Sequence, residues 1–388
     1  MADVLIGLQW GDEGKGKITN YLAKDYDIIA RFQGGGNAGH TIYTEKQEKL
    51  VLHHLPSSVL HQDKIHLLGN GMVIDPEILV NEILNLKDKH NIEFFGNLLI
   101  SNKAHVTFPI HLIEDEENEK FMKIGTTKKG IGPTYCSKYK RDGIRMGDLV
   151  NSSELMAKMS NLMSRKILNF YSFYDKYRNF GDYLAGFTCD TSDYLLKEIK
   201  KEKKILLEGA NGTMLDIDHG DYPYVTSCNT LAAYAPLGVG IPLTEIKNII
   251  GVFKAYSTRV GAGPFPTELK QTSKEFRILQ EKGQEYGATT GRPRRCGWLD
   301  LVQLKQAIAL NNPTYLVITK IDILRYLSKL KVCKQYSSFG QLQYDKFTVH
   351  GEMINDQGFF RYIEKSLGKE IRYVSTGPLN DQIIKLTD

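Results

Sequence analysis

Val4-Leu5-Ile6-Gly7 leads through Leu8-Gln9-Trp10 into Gly11-Asp12-Glu13-Gly14-Lys15-Gly16-Lys17-Ile18. A short apolar run, a glycine-rich turn and a helix-like stretch over 17–23 give the strand, loop and helix order of a phosphate loop, with the spacing G-x-x-x-x-G-K. Ile18 stands where that motif carries Ser or Thr. The missing hydroxyl ordinarily holds Mg²⁺, so this loop needs another oxygen ligand, and Asp12 lies inside the loop. A carboxylate beside transferring phosphates can ligate metal, take a proton, or do both. Three glycines let the backbone approach an anion closely, and the amides of the following helix point at the bound charge. Lys15 and Lys17 supply neutralising charge, and the competing reading is a solvated turn without a ligand.

Outward from this loop, strand and helix signals alternate. Apolar runs at 4–8, 27–29, 65–68, 97–100, 205–207, 249–253, 316–318 and 372–374 are short and bounded by Gly, Asn, Lys or Pro, as buried strands tend to be. Residues 76–90 carry apolar side chains at helical spacing, and Leu155, Met159, Met163, Ile167, Phe170, Tyr174 and Tyr177 continue such a stripe over more than six turns as core packing. The expected fold is α/β, with a mostly parallel central sheet, helical and loop excursions including one near 150–203, and a P-loop-like nucleotide site.

The 388 residues, 41% hydrophobic and 24% charged, are enough to bury a sizeable core as one large domain or two. A net charge of +5 with interspersed signs favours small anionic ligands over a nucleic-acid footprint. Five scattered cysteines show no zinc or disulfide spacing and read as reduced thiols. No apolar run reaches a membrane span and the N-terminus has no secretory pattern, so a cytoplasmic protein is expected.

Three further constellations carry chemistry. Gly34-Gly35-Gly36-Asn37-Ala38-Gly39-His40-Thr41 follows a strand-like stretch at 28–32 and leaves a histidine with little bulk over it, able to donate to a phosphoryl oxygen. Thr319-Lys320-Ile321-Asp322 resembles the strand end of guanine-nucleotide proteins, where the carboxylate accepts from guanine N1–H and the 2-amino group; a helix-capping Asp is the plainer alternative. Gly287-Ala288-Thr289-Thr290-Gly291-Arg292-Pro293-Arg294-Arg295 puts three arginines on a Gly/Thr loop, suited to carboxylate or phosphate capture or simply to a solvated basic turn. Glycine-rich segments at 125–133 and 257–267 fit loops that close over ligands or lie on the surface.

Together these segments resemble the adenylosuccinate synthetase family over nearly the full chain. Supporting motifs are Gln9-Trp10 with the phosphate loop, the Asn37 segment, Gly125-Thr126-Thr127 with Gly130-Ile131-Gly132-Pro133, Asp216-Ile217-Asp218-His219-Gly220, Tyr222-Pro223-Tyr224-Val225-Thr226-Ser227, the stretch 255–268, the arginine loop and Ser375-Thr376-Gly377-Pro378. The resemblance implies one α/β domain over 1–388 and GTP-dependent ligation of L-aspartate to IMP through 6-phosphoryl-IMP, on the route from IMP to AMP. It implies Asp12, His40 and Lys15 as catalytic residues and one Mg²⁺ per subunit on Asp12 and the carbonyl of Gly39. GTP would lie on the phosphate loop from Gly11 to Lys17, including Glu13, Gly14 and Gly16, on Gly39, His40, Thr41 and Arg294, and on Lys320, Ile321, Asp322, Ser375, Thr376 and Gly377. IMP would meet Asp12, Glu13, Gly14, Lys15, Asn37, Ala38, Gly39, His40, Thr127, Asn211, Thr226 and Arg292, with Arg141 reaching across from the other subunit of a homodimer. Aspartate would be held by Ala288, Thr289, Thr290, Gly291, Arg292, Pro293 and Arg294.

Three departures from the family pattern stand out. Asn211 replaces the usual Gln, keeping the amide on a stem one methylene shorter. Pro293 interrupts the arginine run and removes an amide donor. The segment between Asp322 and Ser375 is shorter than in common bacterial relatives. A GTPase switch would carry Ser or Thr at position 18 and have no use for the Asn37 and Arg292 segments; an inactive nucleotide binder would not need Asp12, Lys15 and His40.

Overall fold

The computed structural model describes residues 1–163, 170–287, 291–337, 341–349, 351 and 357–386. Its centre is a ten-stranded sheet. In chain order the strands are β1 (Ala2–Gly7), β2 (Ile28–Arg31), β3 (Ile65–Leu68), β4 (Leu98–Ser101), β5 (Thr188–Cys189), β6 (Ile205–Glu208), β7 (Ile246–Lys254), β8 (Tyr315–Thr319), β9 (Ile371–Ser375) and β10 (Ile383–Lys385). In space they run β10-β9-β8-β7-β1-β6-β2-β3-β4-β5. Every pairing is parallel except that of β9 with β10. All eight expected strands lie in this sheet. The central ones are buried on both faces, β2, β6 and β8 at every residue, which is why they read as continuous apolar runs instead of alternating ones.

Helix α1 (Lys15–Leu22) begins two residues before the expected start, because Gly14 takes the left-handed conformation (φ +86°) and turns the chain straight into it. Helix α2 (Pro76–His90) has the expected bounds: Asp75 caps the amides of Glu77 and Ile78, Pro76 occupies the first turn, and Asn91 ends it at φ +54°. The long Met and aromatic stripe divides between α3 (Ser152–Met163) and α4 (Phe170–Leu184). The two fold onto each other, with the Tyr174 hydroxyl donating to the Ser152 carbonyl. Leu155, Met159, Tyr174 and Tyr177 bury in one core with α2, whereas the side chains of Met163 and Ile167 lie outside the described residues. After α4 the chain returns β5 to the sheet edge beside β4.

In a parallel sheet the strands share a direction, so their C-terminal ends share one edge. That edge receives the phosphate loop after β1, Glu208 at the end of β6, Lys254 at the end of β7, Thr319-Lys320 at the end of β8 and Ser375 at the end of β9. Residues more than 300 apart in sequence become neighbours there: the Thr319 hydroxyl donates to the Glu13 carbonyl at 2.7 Å. Among the described residues no helix is long and apolar enough to cross a membrane.

Candidate active site

The phosphate loop is organised around a carboxylate that has no exposure. Glu13 Oε1 accepts from the amides of Gln9 (3.1 Å) and Gly11 (2.9 Å), while Oε2 pairs with Lys15 Nζ at 2.6 Å. Lys15 also donates to the Asn211 carbonyl. Asp12, by contrast, stands exposed on the crest of the loop at φ +60°. Its Oδ2 is 2.8 Å from Arg294 Nε. Ile18 packs into the core under α1 with Leu5 and Ile29, so no hydroxyl can reach the loop from that position.

His40 starts a short hairpin, His40–Tyr43 with Lys49–Leu52, that lies against α1. A Cβ on Gly16 would sit 3.0 Å from the His40 Cβ and from Ser57 Oγ, which explains glycine at that point of the loop. The imidazole Nδ1 is 2.5 Å from Glu208 Oε1. Glu208 is fully buried and also accepts from the Ser57 amide at 2.8 Å and from its hydroxyl. Burial pulls the His40 pKa down and the Glu208 carboxylate opposes it. The carboxylate itself is held low by His40 and Arg31 against its own burial. A carboxylate on Nδ1 fixes the tautomer and turns Nε2 outward. Sequence reading missed Glu208: it and His40 are 168 residues apart, and only the β1–β6–β2 order joins them.

At the other end of the loop, Lys17 is tied to the C-terminal part of the chain. Its ammonium donates to Ser375 Oγ (2.8 Å) and to the carbonyls of Gly377 (2.6 Å) and Gln382 (3.0 Å), binding α1 to the C-terminal hairpin. Burial brings its pKa to about 7, with Asp322 opposing. Lys320, at φ +61°, donates to the Gly283 carbonyl at 2.6 Å, Ile321 is buried, and Asp322 follows in the first turn of a 3₁₀ helix, Ile321–Tyr326. Asp322 Oδ1 is buried with no protein donor, and burial raises its pKa. A buried acceptor without a donor is costly unless a ligand supplies one. Thr376 completes this wall, its amide donating to the Gln382 carbonyl.

The remaining segments are fixed by contacts of their own. Gly34 approaches Asn211 and Ala210 so closely that a Cβ would lie 3.0 Å from the Ala210 Cβ; Asn211 sits at φ +60° with its Oδ1 buried and unpartnered. Asn37 Oδ1 accepts from the Gly35 amide at 3.2 Å. The two glycine-rich loops touch: the Ala262 amide donates to the Ile124 carbonyl, and Gly125 packs against Gly261. Gly125 and Thr126 are pinned by the Glu119 carboxylate, leaving Thr127 half-buried just beyond. Thr226 donates its amide to the Leu215 carbonyl, and the neighbouring Ser227 lies against Gly132. Arg141 ends the helix Ile131–Lys140 at φ +70° and is exposed.

The arginine run divides its labour. Arg295 makes a two-pronged pair with Glu268 at 2.7 and 2.5 Å, which is a structural contact. Arg294 reaches Asp12, and Arg292 and Gly291 are exposed on the loop before it. Ala288, Thr289 and Thr290 lie outside the described residues.

Among the described residues no group of three His, Cys, Asp or Glu side chains could cage a metal. One exposed carboxylate on a phosphate loop still suits Mg²⁺, which prefers one or two carboxylates together with substrate phosphates and water.

The glycine-rich loop after β1, Thr319–Asp322 and Ser375–Gly377 converge on one sheet edge. The buried His40–Glu208 pair packs beside that loop, and Arg294 joins it through Asp12. Such a convergence suits a nucleotide-dependent ligase, in which a triphosphate activates one substrate for attack by another. The sequence model of the adenylosuccinate synthetase family matches residues 4–357. The adenylosuccinate synthetase of Thermodesulfovibrio yellowstonii is 44% identical, covering 98% of each chain, and that of Pelotomaculum thermopropionicum is 48% identical over 91% of this chain and 82% of its own. The solved structure of fully ligated adenylosuccinate synthetase from Plasmodium falciparum superposes with a TM-score of 0.92 at 36% identity, covering 99% of both chains. The chain belongs to the adenylosuccinate synthetase family. Its activity is the GTP-dependent ligation of L-aspartate to IMP, giving adenylosuccinate, GDP and phosphate.

Proposed function

We propose the following division of labour for that reaction, with residues 1–388 acting as one unit. The 6-oxo group of IMP is a poor leaving group, so the γ-phosphoryl of GTP passes first to O6, and the aspartate amine then displaces phosphate at C6. O6 attacks as N1 loses its proton; Asp12, on the exposed crest of the loop, takes that proton. His40, its Nδ1 held by Glu208, donates from Nε2 to the phosphoryl group in flight, and Lys15 neutralises the charge that develops there. Guanine is read by Asp322, whose unpartnered carboxylate oxygen awaits two N–H donors that adenine does not offer. Lys320 and the 375–377 segment frame the base.

IMP lies along Asn37, Thr127 and Thr226, with the Asn211 amide toward the purine 6-position. Aspartate is bound by the loop 288–294, Arg292 near its carboxylates and Arg294 nearer GTP. Mg²⁺, held by Asp12 and the Gly39 carbonyl, would supply charge neutralisation on the phosphates. We read the assembly as a cytoplasmic homodimer in which Arg141 completes the partner's IMP site. In support, Tyr139 beside it is 69% exposed, and Leu237, three residues past the neighbouring Tyr234, is 67% exposed.

The observation that carries this reading is the exposed Asp12 carboxylate on the phosphate loop, together with the buried His40–Glu208 pair and the buried Asp322 oxygen that has no protein donor. Asp12→Asn is expected to abolish adenylosuccinate formation while GTP binding by calorimetry persists; unchanged turnover would remove Asp12 from the base role.

A further inference from the structure

Glu285 is buried without exposure, yet it belongs to none of the segments assigned to substrate. Its carboxylate gathers three donors: the Tyr256 hydroxyl at 2.6 Å, Arg294 Nη1 at 2.6 Å and Lys254 Nζ at 3.2 Å. Lys254 ends the central strand β7 and Tyr256 follows it, both fully buried, so the carboxylate is fastened to the sheet itself. The backbone repeats the connection, with the Arg294 amide donating to the Glu285 carbonyl at 2.9 Å. The other edge of the same guanidinium meets Asp12. Two residues earlier, the Gly283 carbonyl accepts from Lys320 at the base-binding end.

We infer that Glu285 is a positioning residue of the ligation: it holds Arg294 against the phosphate loop from the core side, and the 283–285 turn ties that arginine to Lys320. Arg294 is thereby placed by the central sheet and not by the exposed loop that precedes it. The arrangement makes the aspartate loop and the GTP base site share one anchor. Losing the anchor therefore affects aspartate and GTP together and spares IMP. The inference rests on the assignment of Arg294 to aspartate and GTP. If Glu285 served only to neutralise Lys254, Arg294 would not depend on it.

Steady-state kinetics of Glu285→Gln, Arg294→Gln and the double variant separate these cases. Glu285→Gln is expected to raise KM for L-aspartate and GTP roughly tenfold while KM for IMP stays within about twofold, and the double variant should be no worse than Arg294→Gln alone, as for two residues acting as a unit. Multiplying effects in the double variant, or an equal rise for all three substrates, would overturn the inference. Raised KM values in Arg294→Gln but not in Glu285→Gln would overturn it alone, whereas unchanged values in Arg294→Gln would remove the Arg294 assignment and the inference with it. Should Glu285→Gln fail to fold because Lys254 is left buried and unpaired, Tyr256→Phe removes one hydrogen bond without changing charge. There the same pattern is expected at about threefold, and kinetics identical to the parent would overturn the inference.

Discussion

Glu208 and Asn211, three positions apart on one segment, show how a single side chain can shape the site. Glu208 holds His40 by one nitrogen, so Glu208→Gln is expected to lower kcat by about 10²-fold or more with little change in KM for GTP, the loss typical when general-acid geometry is disturbed. A kcat within about twofold of the parent would show that His40 does not need its partner. Asn211 occupies a left-handed conformation that Asn tolerates better than longer side chains, and its Oδ1 has no protein donor. The shorter amide is thus compatible with the backbone at that point. At this scale legibility is uneven. Asp12, Lys15 and His40 announce themselves through glycine-rich local motifs, whereas Glu208 meets His40 across 168 residues and Glu285, though only nine residues from Arg294, sits in no recognisable motif. Lys17 belongs to the motif, and its contacts with Ser375 and the Gly377 carbonyl, more than 350 residues away, have no local signature.

Among elements, the eight strands with continuous apolar runs were all readable, because a strand buried on both faces has nothing polar to interrupt it. The two edge strands were not: Thr188–Cys189 is only two residues long, and Ile383–Lys385 is exposed at two of its three. The helical stripe was readable as core but not as two helices, since both bury the same face in the same cluster. The Asn37 segment depends on a close crossing. A Cβ on Gly35 would sit 2.4 Å from the Val73 carbonyl oxygen and 2.8 Å from its Cγ2. Gly35→Ala is therefore expected to cost about 1–3 kcal/mol in thermal or denaturant unfolding, and to raise KM for IMP by displacing the segment. A melting curve and an IMP titration matching the parent would show that the crossing is slack.

For the whole molecule, acid stability and assembly supply the tests. Against its burial, the Lys254, Lys320 and Arg294 charges hold the Glu285 pKa down, from the ordinary 4.5 to about 2. The unfolded chain then binds more protons between those values, so the contribution is complete above pH 4.5 and fades as pH falls toward 2. Melting temperatures taken across that window should fall less steeply in Glu285→Gln than in the parent; parallel slopes would mean that the buried pair contributes nothing to acid stability. Assembly can be tested by mixing inactive subunits. Asp12→Asn and Arg141→Leu proteins, unfolded and refolded together, should regain activity at on the order of a quarter of the sites, because only a mixed dimer offers one intact composite site. No recovery despite mixed dimers would place Arg141 outside the shared site.

The most direct measurement is mass-spectrometric product analysis of the purified protein with IMP, L-aspartate and Mg²⁺, supplied with GTP or with ATP, and with each substrate omitted in turn. Adenylosuccinate, GDP and phosphate are expected from the complete GTP mixture alone. GTP hydrolysis without IMP, or adenylosuccinate formed equally well with ATP, would contradict the ligation mechanism or the role of Asp322 in choosing guanine.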